Sequence, residues 1–267
     1  MPGRSPSFIH LDRAPELWKC ARRVQDWWPT TTAYLRLGET KYPFDFRTHS
    51  GLEIELRDFY EVTTAWVVFC RDEYAVPPNA KTIVDLGANY GAFTLLAAAQ
   101  APYARIVSLE PFPSTFERLT TNVNRNGFQE RVRCWQLALA PNDGEQRMTG
   151  APEIESHLRH LVLRGGDQRA TIGVQGISWR ALLARIRSEL RVDEIDLVKM
   201  DIEGAEHAVI PDLPPDSFQG IRAWQMEYHW TQPKGPLFAA LERAGLRCVE
   251  DRICVEDQGV ARFERVS

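Results

Sequence analysis

The sequence predicts an α/β fold: a doubly wound, mostly parallel sheet of seven strands, Rossmann-like in topology, with a helical N-terminal extension. Strand-like and helix-like segments alternate from residue 82 onward, which favours parallel strands joined by crossover helices. A glycine turn, Gly87 to Gly91, separates the first of these strands from the first helix. The length of 267 residues suits one large α/β domain with an extension.

Each element of the sheet is predicted from its own pattern of apolar and polar residues. The predicted strands are 82–85, 105–110, 132–139, 195–200 and 223–228, with two terminal strands around 247–255 and 259–266, and the predicted helices are 90–100, 114–126, 179–190, 205–210 and 236–244. Upstream, residues 12–37 are predicted as helix, with Trp18, Val24 and Trp28 on an apolar stripe and the tryptophans in the core. A hairpin is predicted around Ser50-Gly51.

Two boundaries are predicted along the chain. The segment VPPNAK, residues 76–81, breaks the pattern, so the N-terminal extension is assigned to residues 1–78 and the main domain to residues 79–267. Residues 143–176 are polar and contain Gly165-Gly166, which indicates an irregular insertion, and an inserted lid is assigned to about 146–176.

Composition narrows the classes of partner and compartment. The formal charge is −4, so the chain lacks the positive field that a nucleic-acid-binding protein would need, and a small molecule is the expected partner. Five cysteines without a CxxC pair favour a reduced, cytoplasmic protein. No secretory signal is predicted, and polar residues interrupt the charge-free run 86–104, so no membrane association is expected. Oligomeric state, including a homodimer, stays open.

The glycine turn and the next strand end together predict a nucleoside site. Gly87 and Gly91 allow a ligand to approach the backbone closely, and Glu110 closes the following strand, where a carboxylate can accept both hydroxyls of a ribose. A dinucleotide motif would have glycine at Asn89 and Ala92, so a nicotinamide cofactor fits poorly. The alternative is an ordinary strand, turn and helix with no ligand.

Several further motifs give the chain a family resemblance. It resembles the FkbM family of S-adenosylmethionine-dependent methyltransferases over residues 45–255, through SGLEIELRD, VDLGANYG, TTNVNRNG, ALAPNDGE, VKMDIEGAE and MEYHW. The resemblance implies a class I methyltransferase fold, S-adenosylmethionine as the cofactor, and O-methylation of a small molecule such as a sugar or a natural-product intermediate. N- or C-methylation, or a non-catalytic nucleoside-binding protein, are the alternatives.

The predicted cofactor site collects the polar and glycine-rich ends of four strands. Gln136 to Ala138 are included because the third strand ends where an adenine is expected. The site comprises Asp85, Gly87, Ala88, Asn89, Tyr90, Gly91, Glu110, Pro111, Gln136, Leu137, Ala138 and Asp201. A valine at Gly87 is expected to abolish cofactor binding and leave the fold largely intact.

The predicted catalytic residues are His229, Asp201, Glu227, Lys199 and Glu203. A methyl transfer needs the acceptor held in line and its proton removed, and His229 is the first choice of base because its pKa lies nearest neutrality, with Glu227 or Asp201 orienting it. Ordinary ion pairs and helix capping are the alternative roles for these carboxylates. The same cluster offers ligands for a divalent ion, which is left as an alternative, and no metal site is assigned. His157 and His160 lie in the predicted lid.

Overall fold

The computed structural model describes residues 14–149, 161, 171–229, 232–255 and 258–266, with side chains at 254, 255 and 258 left out. The chain divides into two compact units, Met1–Glu73 and Tyr74–Ser267. Within the described residues, no helix combines the length and apolar character that a membrane span requires.

The second unit is built on one large sheet of seven strands. Its strands are β3 (Thr82–Leu86), β4 (Arg105–Leu109), β5 (Val132–Trp135), β9 (Leu197–Met200), β10 (Ala223–Tyr228), β11 (Leu246–Val255) and β12 (Gln258–Arg265). Their spatial order is β5-β4-β3-β9-β10-β12-β11. The first five run parallel, and β12 pairs antiparallel with both β10 and β11. The predicted doubly wound, mostly parallel seven-stranded sheet is therefore confirmed.

Helices connect these strands. They are α4 (Ala92–Gln100), α5 (Pro113–Arg125), α6 (Trp179–Leu190), α7 (Glu206–Val209) and α8 (Gly235–Arg243). Strand β3 is buried along its whole length, as expected of a central strand covered on both faces. The chain moves outward from β3 through β4 to β5 and later returns to place β9 on the other side of β3. This reversal opens a crevice at the carboxyl ends of β3 and β9, where open α/β sheets bind ligands.

A second, three-stranded sheet corrects the prediction of an irregular segment at 143–176. Strands β6 (Ala138–Leu139), β7 (Gly144–Thr149) and β8 (Thr171–Ile177) form it in the order β6-β8-β7. Only one face of this sheet is buried, with Met148 and Val174 in a small apolar cluster, so its outward polar residues made the segment look like loop. Of the predicted lid at 146–176, residues 150–160 and 162–170 lie outside the described residues, and with them His157 and His160.

The first unit contains α1 (Ala14–Arg23), α2 (Trp27–Tyr34), the hairpin strands β1 (Phe44–Arg47) and β2 (Glu53–Leu56), and α3 (Phe59–Trp66), which continues into a π-helical turn at Val67–Arg71. The hairpin was predicted, but the single helix at 12–37 was wrong because the chain breaks between Arg23 and Trp27. The prediction of core tryptophans was also wrong: Trp18, Trp27 and Trp28 are 59%, 41% and 60% exposed. The break separates Trp28 from the stripe that one continuous helix would have made, whereas Trp18 lies within α1 and is exposed there.

Gly87 and Gly91 are required by the protein itself. Both have positive φ, 75° and 97°, a region in which residues other than glycine are strained. A Cβ at Gly87 would lie 1.8 Å from the carbonyl oxygen of Asp201, and one at Gly91 would lie 2.8 Å from Leu119 Cδ1. A valine at Gly87 would therefore collide with the end of β9, so the expectation that this substitution spares the fold is corrected.

Gly87→Ala is expected to lower the free energy of unfolding through two additive effects. Positive φ costs a non-glycine residue about 1–2 kcal/mol, and forced overpacking adds about 1–3 kcal/mol. Gly127→Ala is the matched control, because Gly127 has φ of 72° and no atom within 4 Å of an added Cβ. Urea unfolding should show a clearly larger loss for Gly87→Ala. Equal losses would contradict the close approach of Asp201.

Candidate active site

A cavity opens at the carboxyl ends of the central strands, with about 670 Å³ of empty space when the solvent at its mouth is counted. Its walls come from the turn after β3, the end of β4, strands β6 and β7, and the loop after β9. They comprise Leu86, Gly87, Asn89, Leu109, Glu110, Pro111, Thr115, Leu137, Ala138, Leu139, Met148, Leu161, Asp201, Ile202 and Glu203. The cavity lies where the reversal in strand order predicts a ligand.

The turn Gly87–Gly91 is held by hydrogen bonds to β4 and to α5. The backbone N–H groups of Gly87 and Ala88 both donate to the carbonyl of Leu109, at 3.1 and 2.8 Å. Asn122 Nδ2 donates to the carbonyl of Tyr90 at 2.8 Å, which gives this buried asparagine of α5 a function that the sequence did not suggest. Asn89 itself has φ of 51°, a conformation that asparagine tolerates better than most residues.

Glu110 joins this turn to the end of β4. Its Oε2 accepts the N–H of Asn89 and its Oε1 accepts the N–H of Phe112, both at 3.0 Å. The two bonds fix the carboxylate at the cavity wall. The arrangement fits the predicted role of Glu110 as acceptor of ribose hydroxyls.

The opposite part of the cavity is apolar. Leu137, Ala138 and Leu139 line it, together with Met148 and Leu161, which are connected by an isolated β-bridge. Of the predicted residues at this strand end, Gln136 does not line the cavity. Met148 and Leu161 were missed because the sequence assigned their segment to an irregular insertion. A flat apolar slot of this kind suits a nucleobase.

Some predicted cofactor residues support the turn from outside the cavity. Asp85 is fully buried, where its Oδ2 accepts a 2.6 Å hydrogen bond from Thr94 Oγ1 and its Oδ1 lies 3.2 Å from Lys199 Nζ. Ala88, Tyr90 and Gly91 belong to the turn but do not line the cavity. Lys199, predicted as catalytic, also lies behind the turn, with its side chain only 5% exposed.

The other predicted catalytic residues converge on one imidazole. His229 Nε2 lies 3.4 Å from Glu203 Oε2, 3.8 Å from Glu227 Oε1 and 3.9 Å from Asp201 Oδ1. Strand register brings them together, because β9 and β10 pair Met200 with Met226 and thus set Asp201 beside Glu227. Asp201 and Glu203 line the cavity, whereas Glu227 and His229 stand behind them.

Glu206 is the residue of this cluster that the sequence analysis missed. It is fully buried, and its Oε1 lies 3.2 Å from His229 Nδ1 while accepting the N–H of Ile202 at 3.0 Å. His207 Nε2 lies 2.8 Å from the carbonyl of His229. Glu206 therefore orients the ring, a function predicted for Glu227 or Asp201. The sequence places Glu203 and Glu206 three residues apart, a spacing that would put both near the start of a helix. It gave no reason to expect that Glu206, rather than another carboxylate, would contact His229.

Electrostatics in the cluster favour an imidazolium. Burial would lower the pKa of His229, but the hydrogen bond to Glu206 and the charges of Glu206, Asp201 and Glu203 outweigh it and raise the pKa to about 10. Burial, and then the charge of Asp201, raise the pKa of Glu203 to about 9. At neutral pH both groups hold a proton, so the cavity wall carries fewer negative charges than the residue types suggest.

A divalent cation could use the same groups. One donor atom each from Asp201, Glu227 and His229 lie within 4.8 Å of one another. A cation there would have to displace the proton on His229, since a protonated imidazole cannot coordinate a metal. The structure thus offers two ways to neutralise these carboxylates, a proton or a metal ion.

Comparison with known proteins decides the family. The model of the "Methyltransferase FkbM domain" matches residues 85–248, more than half of the chain. The chain belongs to the FkbM methyltransferase family. It is an S-adenosylmethionine-dependent methyltransferase with the Rossmann-like fold of class I, as the resemblance predicted.

Relatives of this FkbM-family chain come from bacteria and a fungus. It is 28% identical to the AMB antimetabolite synthetase AmbE of Pseudomonas aeruginosa over 67% of this chain but only 10% of AmbE. It is 27% identical to the methyltransferase sdnD of Sordaria araneosa over 68% of this chain and 80% of sdnD. It is 27% identical to the 31-O-demethyl-FK506 methyltransferase FkbM of Streptomyces tacrolimicus over 55% of this chain and 65% of that protein.

Solved structures also align with this FkbM-family chain. M. capricolum TrmK, in complex with S-adenosyl-homocysteine, aligns with a TM-score of 0.43 and 10% identity over 73% of this chain and 66% of TrmK. The O-methyltransferase of Bacillus cereus aligns with a TM-score of 0.41 and 11% identity over 70% of this chain and 76% of that chain.

Glu110→Ala should weaken the binding of S-adenosylhomocysteine about 10- to 100-fold, because a charged hydrogen bond to ribose contributes about 1.5–3 kcal/mol. Calorimetry measures the Kd. Glu117→Ala, an exposed carboxylate on α5, should bind as the wild type does. A 2′-deoxyribose analogue of S-adenosylhomocysteine tests the ribose contact directly. The wild type should bind the analogue more weakly than S-adenosylhomocysteine, whereas Glu110→Ala should bind the two compounds with nearly equal affinity. Equal discrimination by both proteins would contradict a ribose contact at Glu110.

Proposed function

We propose that this protein is an O-methyltransferase that methylates a hydroxyl group of a small molecule, with the nucleoside of S-adenosylmethionine in the 670 Å³ cavity. The observation that carries the proposal is the position of the histidine and carboxylate cluster. Asp201 and Glu203 belong both to the cavity wall and to the cluster around His229. Proton-accepting groups therefore stand beside the predicted cofactor site.

The residues present fit this cofactor. Glu110 offers oriented oxygens for a ribose, Leu137 to Leu139 with Met148 form an apolar slot for an adenine, and the turn at Gly87 presents backbone to the cavity. When bound, S-adenosylmethionine supplies an electrophilic methyl group on a sulfonium. The carboxylate of Asp201 also favours a positively charged ligand at this end of the cavity.

A hydroxyl acceptor explains why a base is needed. An alcohol attacks well only as its proton leaves, whereas a neutral amine can attack before losing a proton. We assign the base to His229, with Glu206 holding Nδ1 and Nε2 facing Asp201 and Glu203 at the cavity wall. Asp201 and Glu203 at the cavity wall would accept a hydrogen bond from the acceptor and align it. N-methylation remains the alternative, because an amine could use the same carboxylates.

The names of relatives support a small-molecule acceptor. The 31-O-demethyl-FK506 methyltransferase acts on an oxygen of a natural product by its name, and AmbE is named as an antimetabolite synthetase. A role in natural-product biosynthesis, acting on a sugar or an intermediate hydroxyl, is therefore part of the proposal. The match to AmbE spans one tenth of that protein, so it bears on a methyltransferase segment alone.

Transfer of a ¹³C-labelled methyl group to a panel of hydroxylated and aminated acceptors tests the proposal. NMR of the product should place the label on oxygen, and His229→Ala should lower turnover about 100-fold or more while leaving the Kd of S-adenosylhomocysteine unchanged. His49→Ala, an exposed histidine, is the matched control. A label found only on nitrogen or carbon would overturn O-methylation. If a chelator abolished activity and Mn²⁺ restored it, the cluster around His229 would be a metal site.

The pH dependence of turnover should report the charge of His229. Because its pKa is raised to about 10, the neutral base is scarce at pH 7, and turnover should rise about tenfold per pH unit until the pH nears that value. Glu206→Gln keeps the hydrogen-bond acceptor but removes the charge that raises this pKa, so the profile should move to lower pH. Glu242→Gln, exposed on α8, should leave the profile in place. An unshifted profile in Glu206→Gln would remove His229 from the base role.

A further inference from the structure

We infer that Lys199 is a positioning residue that fixes the peptide plane of the cofactor turn and aims Asp201, and that it does not touch the substrate. The inference rests on the placement of the cofactor in this cavity, proposed above, and not on the atom that is methylated. Lys199 is fully enclosed, with its side chain 5% exposed, and it does not line the cavity.

The ammonium of Lys199 holds one specific peptide group. Its Nζ donates to the carbonyl oxygen of Gly87 at 3.0 Å. The N–H of Ala88 belongs to the same rigid peptide plane and donates to the carbonyl of Leu109 at 2.8 Å. This peptide plane is therefore fixed by hydrogen bonds to Lys199 of β9 and to Leu109 of β4. Without the ammonium the carbonyl of Gly87 would lose this hydrogen bond, and a rotation of the peptide plane toward another partner would also turn the N–H of Ala88 away from Leu109.

The same ammonium connects the turn to the reactive side of the cavity. It lies 3.2 Å from Asp85 Oδ1 and 3.8 Å from Asp201 Oδ2, and the other oxygen of Asp201 faces His229 Nε2 at 3.9 Å. Lys199 thus contacts the cofactor turn and a carboxylate of the proposed acceptor site at once. A change in its position would move both together.

The partners of Lys199 argue for these contacts and against simple packing. Its Nζ lies 3.2 Å from Asp85 Oδ1, 3.8 Å from Asp201 Oδ2 and 3.0 Å from the carbonyl oxygen of Gly87, a set of acceptors that suits an ammonium. A buried ion pair seldom stabilises a fold more than apolar residues of the same size would. Packing alone would be served by methionine, whereas the bond to Gly87 needs a donor.

The test compares Asp85→Asn with Asp85→Asn/Lys199→Met. Both variants avoid an unpaired buried carboxylate at residue 85, and the amide oxygen of asparagine can still accept the hydrogen bond from Thr94 Oγ1. Asp85→Asn, which keeps the bond from Lys199 to Gly87, supplies the reference Kd for S-adenosylhomocysteine and the reference melting temperature. The double variant should melt near the single variant but bind the nucleoside about tenfold more weakly, since a hydrogen bond from a charged group is lost.

A folded double variant with the Kd of Asp85→Asn would overturn the inference. A second measurement needs no variant: ¹⁵N NMR of lysine side chains in the wild type should show a solvent-protected Lys199 ammonium whose signal shifts when S-adenosylhomocysteine saturates the protein. An unshifted signal would overturn the inference even if the double variant failed to fold. Neither readout involves an acceptor, so a finding of N-methylation would leave it intact. If the wild type did not bind S-adenosylhomocysteine, the cofactor placement itself would fail.

Discussion

The active-site region depends on how closely the end of β9 approaches the turn after β3. The carbonyl oxygen of Asp201 occupies the space where a side chain at Gly87 would begin, and the N–H of Asp201 donates to the carbonyl of Leu86 at 3.0 Å. A larger residue at Gly87 would push these two strand ends apart. The approach puts Asp201 within reach of the cavity and lets Lys199 contact both strands. The turn Gly87–Gly91 and the carboxylates around His229 are therefore packed against each other.

Much of the fold could be predicted because its pattern is local. Alternating strands and helices, the glycines of the turn and Glu110 at a strand end each follow from a few neighbouring residues. The small sheet β6-β8-β7 was missed, since a strand with one polar face and an inserted segment between its partners resembles a loop. The break after Arg23 interrupts the apolar stripe before Trp27 and Trp28, and nothing in the structure explains why Trp18, which precedes the break, is exposed as well.

The parts of the site that could not be predicted depend on contacts between distant segments. The sequence indicated that Asp201, Glu227 and His229 follow neighbouring strands, but not that Glu206 would bind the imidazole or that Glu206, Asp201 and Glu203 would raise the pKa of His229. Likewise, the residue type of Lys199 suggested catalysis, and only its burial beneath the turn distinguishes support from contact with substrate. The protonation of these side chains depends on their neighbours in the folded protein, so it cannot be predicted from the residue types alone.

The pairing of Met200 with Met226 fixes the level at which Glu227 and His229 emerge from β10. Since successive residues of a strand face opposite ways, a slip of one residue along β10 would send both side chains to the other face of the sheet. The turn at Gly87 and the carboxylate of Glu110, which follow β3 and β4, would not change. A change confined to β10 would thus replace the side chains proposed to act on the acceptor, while the proposed nucleoside site would keep its residues and its geometry.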